Sequence, residues 1–446
     1  MTPAPAPAEP RREILRLAVP AFLALVAEPL FLLADSAIVG HLGTAELAGL
    51  GVASTALVTA AGVFVFLAYG TTSIVSRHLG AGDERAAVAA GVDGLWLSVL
   101  LGTATAAVVA LAASPISGVF GASAAASAQA TTYLRISALG LPAMLVILAV
   151  TGVLRGLQDT RTPLLASVSG FGANIGLNLL LVYGLHWGIA GSAWGTVIAQ
   201  TAMGAALVAV LVRRCILLRA RIAPHPGRVL TAALTGIPLL VRTLALRATL
   251  LVTTWVAASL GDVPLAAHQV ALTVWSFLAF ALDALAIAAQ ALVGKALGAG
   301  DRARVRTSMD TMVRWGTRGG LAVGLLLVAL HSVLPPLFTA DPAVHEALGA
   351  ALVLVGLGQA VSGYVFVLDG VLIGAGDGRW LAGASVAVLV AYLPVVLAAR
   401  ALGTGRPATE GVVLVWLAFL VFMLLRAAAI GWRARRDSWM VVGART

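Results

Sequence analysis

Leu79-Gly80-Ala81-Gly82-Asp83 returns, residue for residue, as Leu297-Gly298-Ala299-Gly300-Asp301, a displacement of 218 positions. The same displacement carries Leu42-Gly43 onto Leu260-Gly261, Val52-Ala53 onto Val270-Ala271 and Pro20 onto Pro238. It also carries Gly156, Asp159 and Arg161 onto Gly374, Asp377 and Arg379. One Gly-rich pentapeptide can recur by chance in an Ala/Gly-rich chain. A fixed offset held over turn and polar residues marks an internal duplication. The chain reads as two homologous halves, about 14–213 and 232–432, with the function sought between them.

Composition fixes the solvent. Of 446 residues, 60% are hydrophobic and 11% charged, and the mean hydropathy is +0.99. A soluble chain carries about a quarter of its residues charged, so this is an integral membrane protein. Apolar runs of about 20 residues or more call for helices; a transmembrane barrel would show short alternating segments. The single Cys215 excludes a disulfide scaffold or thiolate metal cluster. His41, His78, His186 and His268 fall at expected loops or helix ends without metal-ligand spacing, so they read as surface residues and no metal is expected.

The expected fold is all-α and polytopic, with twelve transmembrane helices. They run near 14–39, 47–76, 88–113, 128–153, 163–183 and 189–212, then 232–259, 265–293, 309–331, 346–373, 380–399 and 411–432. Residues 1–13, with four prolines, read as a disordered tail. Residues 214–231, broken by Pro224 and Pro226, read as a basic linker, and 433–446 as a second tail. Arginine loads alternate loops: Arg77 and Arg85, Arg155 and Arg161, Arg213 to Arg228, Lys295 to Arg306, Arg379, and Arg433 to Arg436. That bias puts both termini in the cytoplasm of a plasma (inner) membrane. It also accounts for the net charge of +10 without a nucleic-acid partner. Six spans per half is an even number, so the halves are expected as two parallel six-helix bundles related by a pseudo-two-fold along the membrane normal. The Gly-Ala-Gly-Asp turns have no following Lys-Ser/Thr and no preceding strand, so they read as turns with an aspartate capping the next helix, not as phosphate loops.

Five acids fall inside expected spans: Glu28, Asp35, Asp93, Asp283 and Asp369. Leaving one facing lipid would cost at least roughly 2.5–3.5 kcal/mol near mid-bilayer, so each needs water, a partner or a proton. None is duplicated: their counterparts are Leu246, Thr253, Thr311, Val65 and Thr151. That asymmetry points to ion coupling at particular sites. Asp35 is the leading proton-coupling candidate, set among Leu32, Leu33, Ile38 and Val39 without Lys or Arg within a turn. Glu28 lies two turns away on the same helix, and Pro20 and Pro29 are candidate hinges. Asn174 and Asn178, four apart, present two amides that could face Asp35. Asp283, Asp369 and Gln269 are candidates for a second-half ion or substrate site. Phe31, Phe64, Trp255, Trp275 and Phe280 are candidates for a cavity accepting bulky amphipathic cations. Trp187, Trp315, Trp380 and Trp432 read as interfacial anchors.

These motifs together resemble the multidrug and toxic compound extrusion (MATE) transporters, most of all their DinF-like prokaryotic branch. The resemblance rests on Pro20, Pro29 and Asp35-Ser-Ala-Ile-Val-Gly40-His-Leu-Gly43, the paired Gly-Ala-Gly-Asp turns, Gly152-Val-Leu-Arg-Gly-Leu-Gln-Asp159-Thr-Arg161, Asn174-Ile-Gly-Leu-Asn178 and Gly370-Val-Leu-Ile-Gly-Ala-Gly-Asp377. It covers about residues 14–432. It implies an antiporter of two six-helix bundles around a V-shaped cavity, exporting amphipathic or cationic drugs against protons or sodium ions. Asp35 matches the ion-coupling aspartate of helix one, Pro20 the proline at which that helix bends, and Asn174 a polar helix-five residue of the same site. Asn178 departs from the aspartate of archaeal relatives. Asp369 matches a helix-ten aspartate of the sodium-coupled NorM branch, whose acidic partner in helix seven is missing here; the loss favours protons.

The expected activity is thus proton-coupled drug export by alternating access, by a chain that is not an enzyme, needs no cofactor beyond the gradient and no obligatory protein partner, and acts as a monomer among membrane lipids. The alternatives are sodium coupling and a flippase for lipid-linked precursors. The flippase would need a cationic cavity, whereas the charges recognised within the spans are acidic.

Overall fold

A computed structural model of the chain describes residues 10–119 and 123–444. The expected tail lies mostly outside the described residues, at 1–9, as does the far end of the second tail, at 445–446. Each of the twelve expected stretches is largely helical, but 47–76 is divided at Val65 and 128–153 at Leu139–Gly140; most of the others run longer by a turn or so at one or both ends. The first half comprises α1 (Pro10–Gly40), α2 (Thr44–Phe64), α3 (Phe66–Gly80), α4 (Glu84–Val119), α5 (Ala124–Ala138), α6 (Leu141–Gly156), α7 (Arg161–Leu179) and α8 (Gly188–Leu217). The second comprises α9 (Pro226–Ser259), α10 (Asp262–Gly298), α11 (Arg302–Ala329), α12 (Pro342–Gly374), α13 (Gly378–Gly403) and α14 (Ala408–Ala434). The tail expected at 1–13 is already helical from Pro10, and Glu13 accepts a 2.7 Å bond from Arg304 of α11.

Two compact units result, 19–237 with 443–446, and 238–442 with 1–18. Both boundaries inside the helices fall beside a repeat-related proline, Pro20 in α1 and Pro238 in α9. Among the described residues, ten helices are long and apolar enough to cross a membrane, or eleven if the bent α5–α6 pair counts as one span. α11 does not qualify, because Arg302, Arg304, Arg306, Asp310, Arg314 and Arg318 load its first two-thirds.

The repeat is written into the turns. Gly82 and Gly300 have φ of 81° and 78°, a left-handed conformation that glycine adopts without a Cβ penalty. Asp83 then accepts from the Ala86 N–H at 2.8 Å, and Asp301 from the Arg304 N–H at 2.8 Å, capping α4 and α11. Asp159 caps α7 through the Thr162 N–H at 3.0 Å and also pairs with Arg214 at 3.0 Å. Its counterpart Asp377 makes no cap and accepts from Arg433 Nε at 2.7 Å instead. The capping expectation therefore holds at three of these four aspartates.

The same close crossing is built twice. Gly152 and Gly156 of α6 lie against the backbone of α3 at Ala68 and Thr72, and Gly370 and Gly374 of α12 lie against α10 at Ala286 and Gln290. Where the halves differ, composition explains it. α5 and α6 break at Leu139–Gly140 with a 53° bend, ahead of Pro142. The counterpart of Pro142 is Ala360, and α12 runs through unbroken.

Replacing Gly370 by alanine is expected to destabilise the second unit, since its Cβ would fall on backbone that cannot yield. Overpacking of this kind costs about 1–3 kcal/mol. Gly383→Ala, where a Cβ meets nothing within 4 Å, is expected to leave the midpoint unchanged. Unfolding midpoints in detergent micelles check both.

Candidate functional site

Asp35 is 3% exposed and sits within the unit formed by residues 19–237. Its Oδ1 accepts from Asn178 Nδ2 of α7 at 2.7 Å and from Ser192 Oγ of α8 at 2.7 Å. Its Oδ2 receives only the Tyr133 hydroxyl of α5, at 3.5 Å. All three donors are buried: Asn178 and Ser192 fully, Tyr133 to 4% exposure. A buried carboxylate without a counter-ion can persist only in such a shell, because unmade bonds to a charge carry the full desolvation cost. Four helices converge on one side chain.

Local structure fixes the donors. α7 ends at Leu179 and continues as one π turn, Leu180–Gly184, the kind of irregularity that re-aims a helix at functional positions. This turn carries Tyr183, whose hydroxyl donates to the Ile38 carbonyl of α1 at 2.5 Å. Gly195 of α8 leaves the space into which the Asn178 amide projects; a Cβ there would collide with Asn178 Oδ1. These polar ties matter because α1 is the least enclosed of the candidate spans: 17% of its apolar window is buried, against 61% for α12.

The two free-standing expectations for α7 separate. Asn178 bonds to Asp35, while Asn174 is buried at 2% with its Oδ1 unpartnered, one turn away. Glu28 is exposed, so it does not join the Asp35 shell. α1 remains helical through both Pro20 and Pro29. Phe31, expected at a cavity wall, is 9% exposed and stacks on Phe171 of α7 at 5.1 Å with 7° between ring planes, next to the Asp35 shell.

Three acids are buried among the described residues: Asp35, Asp93 and Asp369. Asp93 is held by Arg221 at 2.6 Å. Asp369 lies between two buried arginines, Arg242 of α9, whose Nε donates to Oδ1 at 3.2 Å, and Arg426 of α14, whose Nη2 donates to Oδ2 at 3.1 Å. Asp35 alone has no cation. Arg242 and Arg426 correct the expectation that charges within the spans are acidic. Their signal was present in the sequence as arginines deep inside apolar runs, and their counterparts Ala24 and Val208 show that the cluster is not duplicated.

In the second unit Thr253 and Tyr392 occupy the repeat positions of Asp35 and Asn174, and their hydroxyls lie 2.7 Å apart. Asp283 is half-buried and Gln269 is exposed. Trp255 is 50% exposed beneath Arg400, 4.8 Å from the ring centre. Trp275 is half-buried against Phe366 and Phe419, while Phe64 and Phe280 are half-buried. His268 corrects another expectation: it is 2% exposed, bonded to Thr254 at 3.1 Å and packed on Trp416.

Comparison with known proteins matches the MatE family model over residues 20–180 and 238–399. Protein DETOXIFICATION 44, chloroplastic, of Arabidopsis thaliana is 31% identical, with 96% of this chain and 84% of that protein covered. DNA damage-inducible protein F of Escherichia coli (strain K12) is 29% identical, over 96% of this chain and 94% of its own length. Among solved structures, a MOP superfamily transporter from Pyrococcus furiosus, described as having a binding pocket of reverse polarity, superposes with a TM-score of 0.85 at 21% identity, covering 97% of each chain.

Gly195→Ala is expected to lower the unfolding midpoint in detergent by displacing the Asn178 amide. In an Asn178→Ala background the same substitution is expected to cost much less, since the group it strikes is gone. A double-mutant cycle on the midpoints reads the coupling.

Proposed function

This chain belongs to the MatE family of membrane transporters, and we propose that it is a secondary active antiporter that exports amphipathic or cationic drugs and toxic compounds in exchange for protons. It is a polytopic membrane transporter, not an enzyme. The observation that carries the coupling proposal is that Asp35 alone among the described buried acids lacks a cation.

The chemistry follows from its two oxygens. Oδ1 is engaged by two 2.7 Å bonds, whereas Oδ2 has one long contact. Oδ2 is therefore the atom open to a proton. Protonation turns an acceptor-only carboxylate into a donor and weakens the bonds that Asn178 and Ser192 direct at it. Because α1 is thinly packed, loosening those ties changes how it is held, giving an alternating-access cycle a protonation-dependent element. Pro20, next to the boundary between compact units, is the proposed bending point, with Pro29 second.

We favour protons over sodium on the charges of the second unit. At Asp369 two guanidinium groups already occupy the carboxylate, so a sodium ion there would meet like charge. We place Asp283, Gln269, Trp255, Trp275 and Phe280 as contributors to substrate handling by the second unit. We further propose that α11 completes twelve spans, its arginine-rich start lying at the interface, and that both termini are cytoplasmic in the plasma membrane, where the chain works as a monomer. The 29% identity to DNA damage-inducible protein F over nearly its full length supports the DinF-like branch.

Proteoliposomes loaded with a fluorescent organic cation, with pH and sodium gradients imposed separately, test this reading. A pH gradient alone is expected to drive transport and a sodium gradient alone is not. Asp35→Asn is expected to abolish coupled transport while eluting as a monodisperse, folded protein. Equal transport by the variant under the same gradient overturns the mechanism.

A further inference from the structure

α13 and α14 enclose an open groove of about 790 Å³ on the unit formed by residues 238–442. Its walls are small: Gly383, Ala387 and Ala391 on α13, and Ala428 on α14. A Cβ added at Gly383 would meet nothing within 4 Å, so the space there is real room. One end is of different chemistry. Trp380 and Trp432 stack there at 6.5 Å and 26°, beside Arg379.

The cations at that end are not equivalent. Arg433 is spent on Asp377 at 2.7 Å and lies over Trp380 at 5.6 Å, while Arg436 covers Trp432 at 4.0 Å. Arg379 lines the groove, is exposed, and among the described residues makes no hydrogen bond or ion pair. The groove thus has an unspent guanidinium and an aromatic pair at one end and a bare apolar channel beyond it.

We propose that this groove binds one anionic phospholipid of the surrounding membrane, its phosphate on Arg379 and an acyl chain along the Gly383–Ala391 face. The dimensions agree. From Trp380 to Ala391 is about 16 Å at helical rise, close to the half-thickness of about 15 Å of a bilayer core. Stacked tryptophans mark the headgroup level, where their amphipathic rings settle. A guanidinium is the group suited to a phosphate, which it can engage through two parallel N–H donors. A transported cation would be repelled by Arg379, and a zwitterionic headgroup would gain less from it.

Native mass spectrometry of the detergent-purified full chain, titrated with palmitoyl-oleoyl phosphatidylglycerol or phosphatidylcholine, tests the assignment. Wild type is expected to retain one phosphatidylglycerol with about a fivefold preference, the factor for one basic group at a membrane surface. Arg379→Gln is expected to lose the preference and Arg379→Lys to keep it. Gly383→Leu, which fills the channel, is expected to lower retention of both lipids, with unfolding midpoints confirming that each variant is folded. Equal retention of the two lipids by wild type overturns the proposal, as does an undiminished preference in Arg379→Gln or undiminished retention in Gly383→Leu. Arg379 lies outside the Asp35 shell, so transport activity and lipid retention fail independently.

Discussion

A carboxylate enclosed in protein within a membrane needs a partner for each of its oxygens, and that requirement organises the first unit. Asp35 draws Asn178, Ser192 and Tyr133 from three helices onto a fourth. The π turn after α7, the glycine at 195 and the Tyr183 bond to Ile38 are the local adjustments that bring those groups within reach. Hydrophobic burial offers little to hold α1, because lipid competes for the same apolar surface. Polar bonds to Asp35 therefore have a larger share in fixing this helix than they would in a soluble core.

The second unit solves the burial of charge differently. Asp369 is neutralised where it stands by Arg242 and Arg426, and Asp93 of the first unit is latched by Arg221. Removing one member of such a cluster leaves the others buried and uncompensated, which makes ionic clusters rigid. Asp35 is held only by neutral donors, so it can change charge without abandoning a cation. On the proposed coupling role of Asp35, one unit presents a responsive acid and the other a locked one.

Much of this was legible in the sequence. A displacement of 218 residues located the turns, and Asp83, Asp159 and Asp301 cap as turn chemistry predicts. Asp35 and Asn178 were recognisable as polar groups in apolar runs, and they meet. Ser192 and Tyr133 were not, because a hydroxyl in a helix can satisfy itself on its own backbone and so carries no sequence signal of a distant partner. Arg242 and Arg426 break the pattern in which arginines mark loops, standing well inside α9 and α14. His268 breaks a related one: it lies near the start of α10, where solvent is the expectation, but its ring packs against Trp416. A helix was expected at 309–331 and α11 contains it, but the arginines of its first turns leave it outside the ten or eleven helices long and apolar enough to cross a membrane.

Thr253 and Tyr392 stand where the duplication would put a second Asp35 and Asn174. Their hydroxyls meet at 2.7 Å, and neither position carries a carboxylate. If Asp35 is the one acid that exchanges a proton, as proposed, a single charge is traded in each turnover. Exchange of one proton for one monovalent cation would then move no current, whereas release of an uncharged cargo would be electrogenic. The divergence at this one position of the duplication thus bears on stoichiometry and on whether the membrane voltage, rather than the pH difference alone, drives the cycle.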